Sequence, residues 1–310
     1  MKGTGTMAVT AKLVKELRDK TGAGMMDCKK ALMETDGDID KAIDVLREKG
    51  LSKAAKKADR IAAEGLVRLA FSEDHKEAAI VEVNSETDFV AKNPEFIEFV
   101  EKLAEKALEV ESEDMDAFMA MDFFGEGTVQ EALTAKIAKI GENMNIRRIQ
   151  KLNTEGTVYT GYMHNGGLIG VIVGIKTDAA ADEINVAAKD VAMQVASMSP
   201  KFVNETEVDQ AWLANETEIA KQQLLNEGKK PELLDRIIPG KIKAILKDVC
   251  LVDQKFVKDS DLTVGEYVAN VAKELGKDMT VTEMVRFEVG EGIEKKEEDF
   301  AAEVAAQMNK

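Results

Sequence analysis

The chain has 310 residues, 45% of them hydrophobic but only 5% aromatic, so two or three domains with aliphatic cores are expected. Its 42 basic and 58 acidic residues give a net charge of −16, which repels phosphate backbones and argues against a protein that wraps DNA or RNA. Two cysteines are too few for a disulfide framework or a zinc quartet, and with neither a signal peptide nor a membrane-length apolar run we expect a cytoplasmic protein with protein partners.

Residues 7–50 are predicted to form a bundle of three short helices, because apolar residues recur at helical spacing three times. The apolar faces are Leu13, Val14 and Leu17, then Met25, Cys28 and Leu32, then Ile39, Ala42, Ile43 and Leu46. The helices end at Thr21-Gly22, at Asp36-Gly37 and at Lys49-Gly50. Met25 and Met26 are adjacent, so only one of them can face the core; the other is either an incidental surface residue or part of a contact patch.

A helical connector is expected over residues 51–64, followed by a core subdomain over residues 65–144 that begins with strand-like sequence. Its expected elements are strands over residues 66–71 and 78–84, a loop over residues 87–93, a helix after Pro94, and a helix that Thr128 and Glu131 cap and Gly141 ends. Residues 111–127 are acidic and fit no element.

A second core subdomain is predicted over residues 145–202 and 241–290. Its expected strands cover residues 146–152, 158–163, 168–176 and 281–289, and its helices cover residues 181–197, 241–249 and 264–275. The sequence Asn165-Gly166-Gly167 suits a hairpin turn, because Asn and Gly adopt positive φ at little cost. A Thr-Asp pair follows a strand in both subdomains, at Thr87-Asp88 and Thr177-Asp178. We therefore interpret them as related antiparallel-sheet-plus-helix units of an α+β fold.

A protruding helical hairpin is predicted over residues 203–240, because residues 205–227 contain neither Gly nor Pro and a break follows at residues 228–231. This hairpin either protrudes alone or pairs with a second copy in a homodimer. Residues 291–310 are expected to form a C-terminal helical module. Its apolar stripe comprises Phe300, Val304 and Met308.

The sequence contains no motif for enzyme chemistry or cofactor binding. The phosphate-binding pattern GxxxxGK[ST] and the hydrolase pattern GxSxG do not occur. The histidines, His75 and His164, lie in different regions without cysteines nearby, which argues against a metal centre. Cys28 lies on an apolar helix face, where a structural role is more common than nucleophilic chemistry. We therefore expect a protein that is not an enzyme and has neither a cofactor nor a metal.

The segment around Phe89 has two interpretations. Phe89 and Val90 follow a strand and precede a helix, and they lie between Asp88 and Lys92. Phe89 either tucks under the following helix, as aromatic residues often do, or forms a wedge for a pocket on a partner. The spacing alone does not decide between the two.

Several long motifs together make the chain resemble the elongation factor Ts family from residue 7 onward. They are the segments 14–18, 21–32, 87–93, 140–143 and 189–193, His164 with the strand 169–171 after it, and the segment 285–292. The resemblance implies a ubiquitin-associated-like fold for the three-helix unit. It also implies guanine-nucleotide exchange on elongation factor Tu during translation, without direct binding to nucleic acid or membrane.

The resemblance also implies roles for individual residues. Asp88 and Phe89, with Thr87 and Val90 beside them, would insert between helices of the GTPase domain of elongation factor Tu and disturb its Mg²⁺ site. The other implied contacts are Arg18, Met25 and Met26 with the GTPase domain, Ile140 and Gly141 near its phosphate-binding loop, and His164 with the third domain of the partner. The C-terminal helix would pack back on the GTPase domain.

Three other functions stay open on the sequence alone. The three-helix unit could be an adaptor for a small protein, which would not need Asp88 and Phe89; deleting residues 87–91 would leave its binding unchanged. The residues from Lys53 to Arg60 and Arg147-Arg148 could bind RNA, although the overall charge opposes this. An enzyme of unknown type would need a cleft with perturbed titratable groups.

Overall fold

The computed structural model describes residues 9–21, 23–111 and 113–294 of the chain, and it confirms the expected α+β class. The chain divides into two compact units. Among the described residues, one unit contains those up to 66, those from 81 to 149 and residues 289–294, and the other contains residues 67–80 and 150–288. Most of the expected C-terminal module, residues 295–310, lies outside the described residues.

The first unit begins with the three expected helices, α1 (Ala11–Thr21), α2 (Met25–Glu34) and α3 (Ile39–Lys57). Their apolar faces meet in a small core that contains Val14, Leu17, Cys28, Ala31, Leu32 and Ala42. The turn between α2 and α3 uses Gly37 at a φ of 84°, where glycine adopts a left-handed conformation at little cost. Helical periodicity therefore predicted the three helices, and the predicted turn at Asp36-Gly37 is confirmed.

The first sheet has the strand order β1 (Glu64–Phe71), β2 (Ala78–Ser85) and β3 (Met144–Leu152). The helices between β2 and β3 are α4 (Asp88–Ala91), α5 (Pro94–Ala107), α6 (Met115–Ala120) and α7 (Val129–Ile140). Both hydrogen bonds of the expected capping box at Thr128 and Glu131 are present. Residues 111–127, which fitted no element, contain α6 and bury Phe118 and Phe123.

Helix α3 extends past the position where the third helix was expected to end. The prediction of a helix end at Lys49-Gly50 is wrong, because Gly50 is buried inside α3, which packs against α7. A Cβ atom at residue 50 would lie 3.5 Å from Cβ of Ala138 and 3.8 Å from Cγ2 of Thr134. Glycine here permits two helices to approach closely instead of forming a left-handed turn. The expected connector of residues 51–64 therefore begins inside α3.

The elements from residue 157 onward all belong to the second unit. They are β4 (Thr157–His164), β5 (Ile169–Thr177), α8 (Ala181–Met198), α9 (Gln210–Asn226), α10 (Leu234–Val249), β6 (Lys255–Phe256), β7 (Asp259–Thr263), α11 (Val264–Leu275) and β8 (Met279–Glu288). Strands β4, β5 and β8 form an antiparallel sheet in that order, and the β4–β5 hairpin has the expected turn, with His164 opposite Ile169. Helix α8 packs against this sheet over an aliphatic core. The short β6–β7 ribbon was not predicted.

Helix α9 starts later than the sequence indicated. The absence of Gly and Pro predicted a helix from residue 205, whereas α9 starts at Gln210. Asp209 caps it by accepting hydrogen bonds from the backbone N–H groups of Ala211 at 2.7 Å and Trp212 at 2.9 Å. A good capping residue therefore overrides a composition that favours helix upstream.

Helix α10 forms the second arm of the hairpin and packs against α9. The expectation of a separate helix over residues 241–249 is wrong, because α10 continues through Pro239 to Val249. A proline inside a helix removes one backbone hydrogen bond, but the contacts of the remaining residues can keep the segment helical. The second arm therefore extends beyond the predicted boundary at residue 240.

Candidate partner-binding site

The side chain of Phe89, on the short helix α4, is exposed to solvent. Thr87 is the N-cap of α4, and the Thr87 side-chain oxygen accepts a hydrogen bond from the backbone N–H of Val90 at 3.4 Å. Val90 and Ala91 are buried, and successive helix residues point about 100° apart, so Phe89 faces outward and is 80% exposed. The interpretation that Phe89 tucks under the following helix is therefore wrong for the free chain. Residues 87–92 form a capped helical turn where a loop over residues 87–93 was expected.

Asp88 forms an exposed ion pair on the same helical turn. Its Oδ2 lies 2.6 Å from Nζ of Lys92, four residues later. The hydrogen bond from Lys92 lowers the pKa of the Asp88 carboxyl below its ordinary value. The carboxylate therefore stays ionised at neutral pH, and α4 presents a negative charge beside an aromatic ring.

A carboxylate from a distant part of the chain fixes the start of α4. Glu142 accepts hydrogen bonds from the Thr87 backbone N–H at 3.1 Å and from the Thr87 hydroxyl at 2.7 Å. Half-buried Ile140 is the last residue of α7, and Gly141 caps that helix at a φ of 89°. The Gly141 carbonyl oxygen accepts a hydrogen bond from Nζ of Lys57. The structure thus brings α4 next to the end of α7, as two parts of one surface.

Helix α2 turns two methionines outward at its start. Met25 is 58% exposed and Met26 is 63% exposed, so the prediction that Met25 lies on the apolar face with Cys28 and Leu32 is wrong. Met25 is the first residue of α2, and Ala23, two residues earlier, packs against the core. Arg18 on α1 is exposed as well. Sequence reasoning missed the exposed Met33, which follows Met26 by seven residues, a spacing that puts both on one helix face.

His164 lies in the second unit, at the last position of β4. It is exposed, and its Nδ1 lies 3.0 Å from the hydroxyl oxygen of Tyr162. The turn that follows is held by Arg68, whose Nη1 donates a hydrogen bond to the Gly166 carbonyl oxygen at 2.9 Å. Gly167 has a φ of 108°, and a Cβ atom there would overlap the Arg68 guanidinium group. The turn after His164 therefore has a defined shape.

Comparison with known proteins identifies the family to which these segments belong. The family model described as "Elongation factor TS" matches residues 86–291. The chain belongs to the elongation factor Ts family. It is 53% identical over 300 residues to Elongation factor Ts of Clostridioides difficile (strain 630), covering 97% of this chain and 99% of that protein. The protein of the same name from Clostridium novyi (strain NT) is 52% identical over 303 residues, with the same shares covered.

The elongation factor Ts match contains most of the predicted site residues. Residues 86–291 include Thr87, Asp88, Phe89, Val90, Ile140, Gly141 and His164. Arg18, Met25 and Met26 precede the matched range. Membership of the elongation factor Ts family makes the chain a translation elongation factor.

Two arginines that were considered as RNA contacts bind a carboxylate within the chain. Nη1 of Arg147 and Nε of Arg148 lie 3.1 and 2.5 Å from the carboxylate oxygens of Glu82, which is fully buried. Glu82 also accepts a hydrogen bond from the backbone N–H of Gly290 at 2.9 Å. This network gives the RNA-binding alternative less support, because it neutralises much of the local positive charge.

The described residues give no positive support to enzyme chemistry in this member of the elongation factor Ts family. Burial raises the pKa of the Cys28 thiol and raises that of Cys250 to about 11, so both thiols are protonated at neutral pH. Across the described ranges, no three His, Cys, Asp or Glu side chains are grouped in a way that could hold a metal ion. None of the helices that the structure describes combines the length and apolarity needed to cross a membrane.

Proposed function

We propose that the chain is a guanine-nucleotide exchange factor for elongation factor Tu in the cytoplasm, and that it acts without covalent chemistry or a cofactor of its own. Family membership supports both the partner and the activity. The observation that carries the mechanism is Phe89, an exposed aromatic ring beside a charged residue on an anchored helical turn. Aromatic side chains of this kind are frequent anchors at protein interfaces.

In this proposal, Asp88 and Phe89 insert between helices of the GTPase domain of elongation factor Tu and disturb its Mg²⁺ site. The ion is the largest positive charge near the bound phosphates, so its displacement weakens the hold on GDP. Nucleotide exchange then follows because binding of the factor and binding of GDP to elongation factor Tu are thermodynamically linked. A factor that binds the nucleotide-free partner better than the GDP-bound partner must weaken GDP binding by the same ratio. GTP in excess displaces the factor in turn.

The Phe89 ring is large enough to supply the free energy that such coupling needs. A coupling of about 1–3 kcal/mol changes affinity by roughly 5- to 150-fold. Burial of about 150 Å² of aromatic surface contributes roughly 4 kcal/mol at about 25 cal/mol per Å². Since α4 is capped and its neighbours Val90 and Ala91 are already buried, insertion orders few additional groups.

The other proposed contacts follow from the family resemblance. Ile140 and Gly141 lie near the phosphate-binding loop of the partner, and His164 faces its third domain. The bundle contacts the GTPase domain through Arg18, Met25 and Met26, which are exposed in the free chain. Soft methionine side chains suit such a surface because they adapt to the shape of a partner.

The activity is tested by mixing the purified chain with elongation factor Tu that carries fluorescent GDP, in an excess of unlabelled GDP. We expect release of the labelled nucleotide to accelerate as the concentration of the chain rises. A parallel reaction without the chain gives the intrinsic release rate. A release rate that is independent of the chain concentration would contradict the proposed function.

Replacing Asp88 with alanine should slow GDP release by about 2- to 5-fold, less than the loss of the neighbouring ring, because Asp88 is an exposed charge. Its lowered pKa keeps the carboxylate ionised from about pH 6 to pH 8. The ratio of unmodified to variant rates should therefore be constant over this range, with Asp88→Asn as the control for shape. A ratio that changes within the range would show that another charge state of Asp88 is involved.

Replacing Met25 and Met26 together with alanine should raise the chain concentration needed for half-maximal exchange by about 10-fold, because two contact residues are lost. The maximal release rate should change little, since neither residue belongs to the proposed wedge. Val186 on α8 is 74% exposed, so Val186→Ala is a matched control. Equal half-maximal concentrations for the double variant and the control would remove the methionines from the interface.

A further inference from the structure

Two glutamates connect the start of α4 to the segment after α7 by reciprocal hydrogen bonds. Glu142 accepts from the backbone N–H and the hydroxyl of Thr87. Glu86, the residue before Thr87, accepts from the backbone N–H of Asn143, the residue after Glu142, at 2.6 Å. Each segment thus provides a carboxylate to the other and receives one from it. We call Glu86, Thr87, Glu142 and Asn143 the glutamate clamp.

The hydroxyl of Thr87 links the glutamate clamp to α4 itself. It donates a hydrogen bond to Glu142 at 2.7 Å and accepts one from the backbone N–H of Val90 at 3.4 Å. Helix α4 has only four residues, and a single helical turn is unstable without contacts that hold it. The direction in which Phe89 points therefore depends on the residue that fixes the cap.

We infer that Glu142 is a positioning residue for nucleotide exchange, which acts by holding α4 in the orientation that lets Phe89 insert. This inference rests on the proposed function. One carboxylate that accepts two hydrogen bonds from Thr87 fixes both the position and the direction of the cap, and bonds to a charged acceptor are stronger than neutral ones. Glu86 closes the other side of the glutamate clamp, and Nη1 of Arg60 lies 3.6 Å from its carboxylate.

Replacing Glu142 with alanine should slow the maximal rate of GDP release by about 5- to 10-fold, because a loosely held ring is rarely in the inserting orientation. Glu142→Gln should recover part of the rate, since its amide oxygen can accept one of the two hydrogen bonds. Glu98 is an exposed glutamate of α5 in the same unit, so Glu98→Ala is the matched control and should keep the unmodified rate.

Combining the Glu142 change with Phe89→Ala distinguishes positioning of the ring from a general structural role. If Glu142 acts through Phe89, the double variant is no slower than Phe89→Ala alone. The inference would be overturned if the double variant were slower than Phe89→Ala by the full factor that Glu142→Ala causes alone. It would also be overturned if Glu142→Ala released GDP at the unmodified rate. If Glu142→Ala does not fold, the same comparison with Glu142→Gln decides. An unmodified chain that does not accelerate release would instead overturn the proposed function, so the two failures are distinct.

Discussion

Replacing Phe89 with alanine is expected to slow the release of GDP from elongation factor Tu by about 10- to 100-fold, which corresponds to roughly 1.4–2.7 kcal/mol. The expectation follows from the exposure of the ring, which is the largest apolar group that α4 presents to solvent. A methyl group cannot separate two helices of a partner, so the maximal rate should fall as well as the affinity. Stopped-flow fluorescence of labelled GDP at saturating concentrations of the chain measures this rate.

The fold of the chain should tolerate the loss of Phe89. Substitutions of exposed residues away from caps and cores usually change stability by less than about 0.5 kcal/mol, and Phe89 contributes little to the interior. Val186→Ala removes a similarly exposed apolar group elsewhere and should preserve both stability and exchange. A Phe89→Ala variant that releases GDP at the unmodified rate would remove the ring from the mechanism.

Replacing Glu82 with alanine should lower the free energy of unfolding by about 3–5 kcal/mol, the usual cost of removing one partner from a buried ion pair. Glu82 is fully buried in β2 and accepts hydrogen bonds from Arg147, Arg148 and the backbone N–H of Gly290. Its loss would remove the buried carboxylate that both guanidinium groups share, leave Arg148 paired with the exposed Glu291, and leave a buried N–H without an acceptor. Since β2 leads directly into α4, this network also supports the segment that carries Phe89.

Urea unfolding followed by circular dichroism measures the effect of the Glu82 change. Glu82→Gln retains part of the hydrogen bonding without the charge, so its loss of stability should be smaller than that of Glu82→Ala. Glu98→Ala breaks only a surface pair with Lys102 and should cost less than about 1 kcal/mol. A loss below about 1 kcal/mol for Glu82→Ala would contradict the view that this carboxylate holds the strands together.

Elements fixed by local chemistry were predictable from the sequence. The capping box at Thr128 and Glu131 and the hairpin turn after His164 depend on neighbours within a few residues, and the structure confirms both. Gly50 was wrongly predicted to end a helix. Its actual role is to let α3 approach Ala138 of α7, a residue far away in the sequence, so no local pattern could show it. The start of α9 was misplaced because the cap at Asp209 outweighs helix-favouring composition before it.

The candidate site could be predicted only in part from the sequence, because its geometry also depends on contacts between residues that are distant in the sequence. Spacing could not show whether Phe89 is buried, because the outcome depends on Val90 taking the inward position of α4. The bonds from Thr87 to Glu142 join residues 55 positions apart, so no local pattern revealed them. Helical spacing placed Met25 on the apolar face, whereas Ala23, before the helix begins, packs against the core at that end of the bundle.

The proposed action of the Phe89 ring is to loosen the hold of elongation factor Tu on GDP through the Mg²⁺ site of that partner. It is tested most directly by measuring GDP release with the unmodified chain and with Phe89→Ala, each at saturating concentration, in Mg²⁺ and in excess EDTA. We expect the large difference between the two chains in Mg²⁺ to disappear in EDTA, because the ion is then already absent. A difference of the same size in both conditions would contradict the claim, since Phe89 would then act without involving the metal.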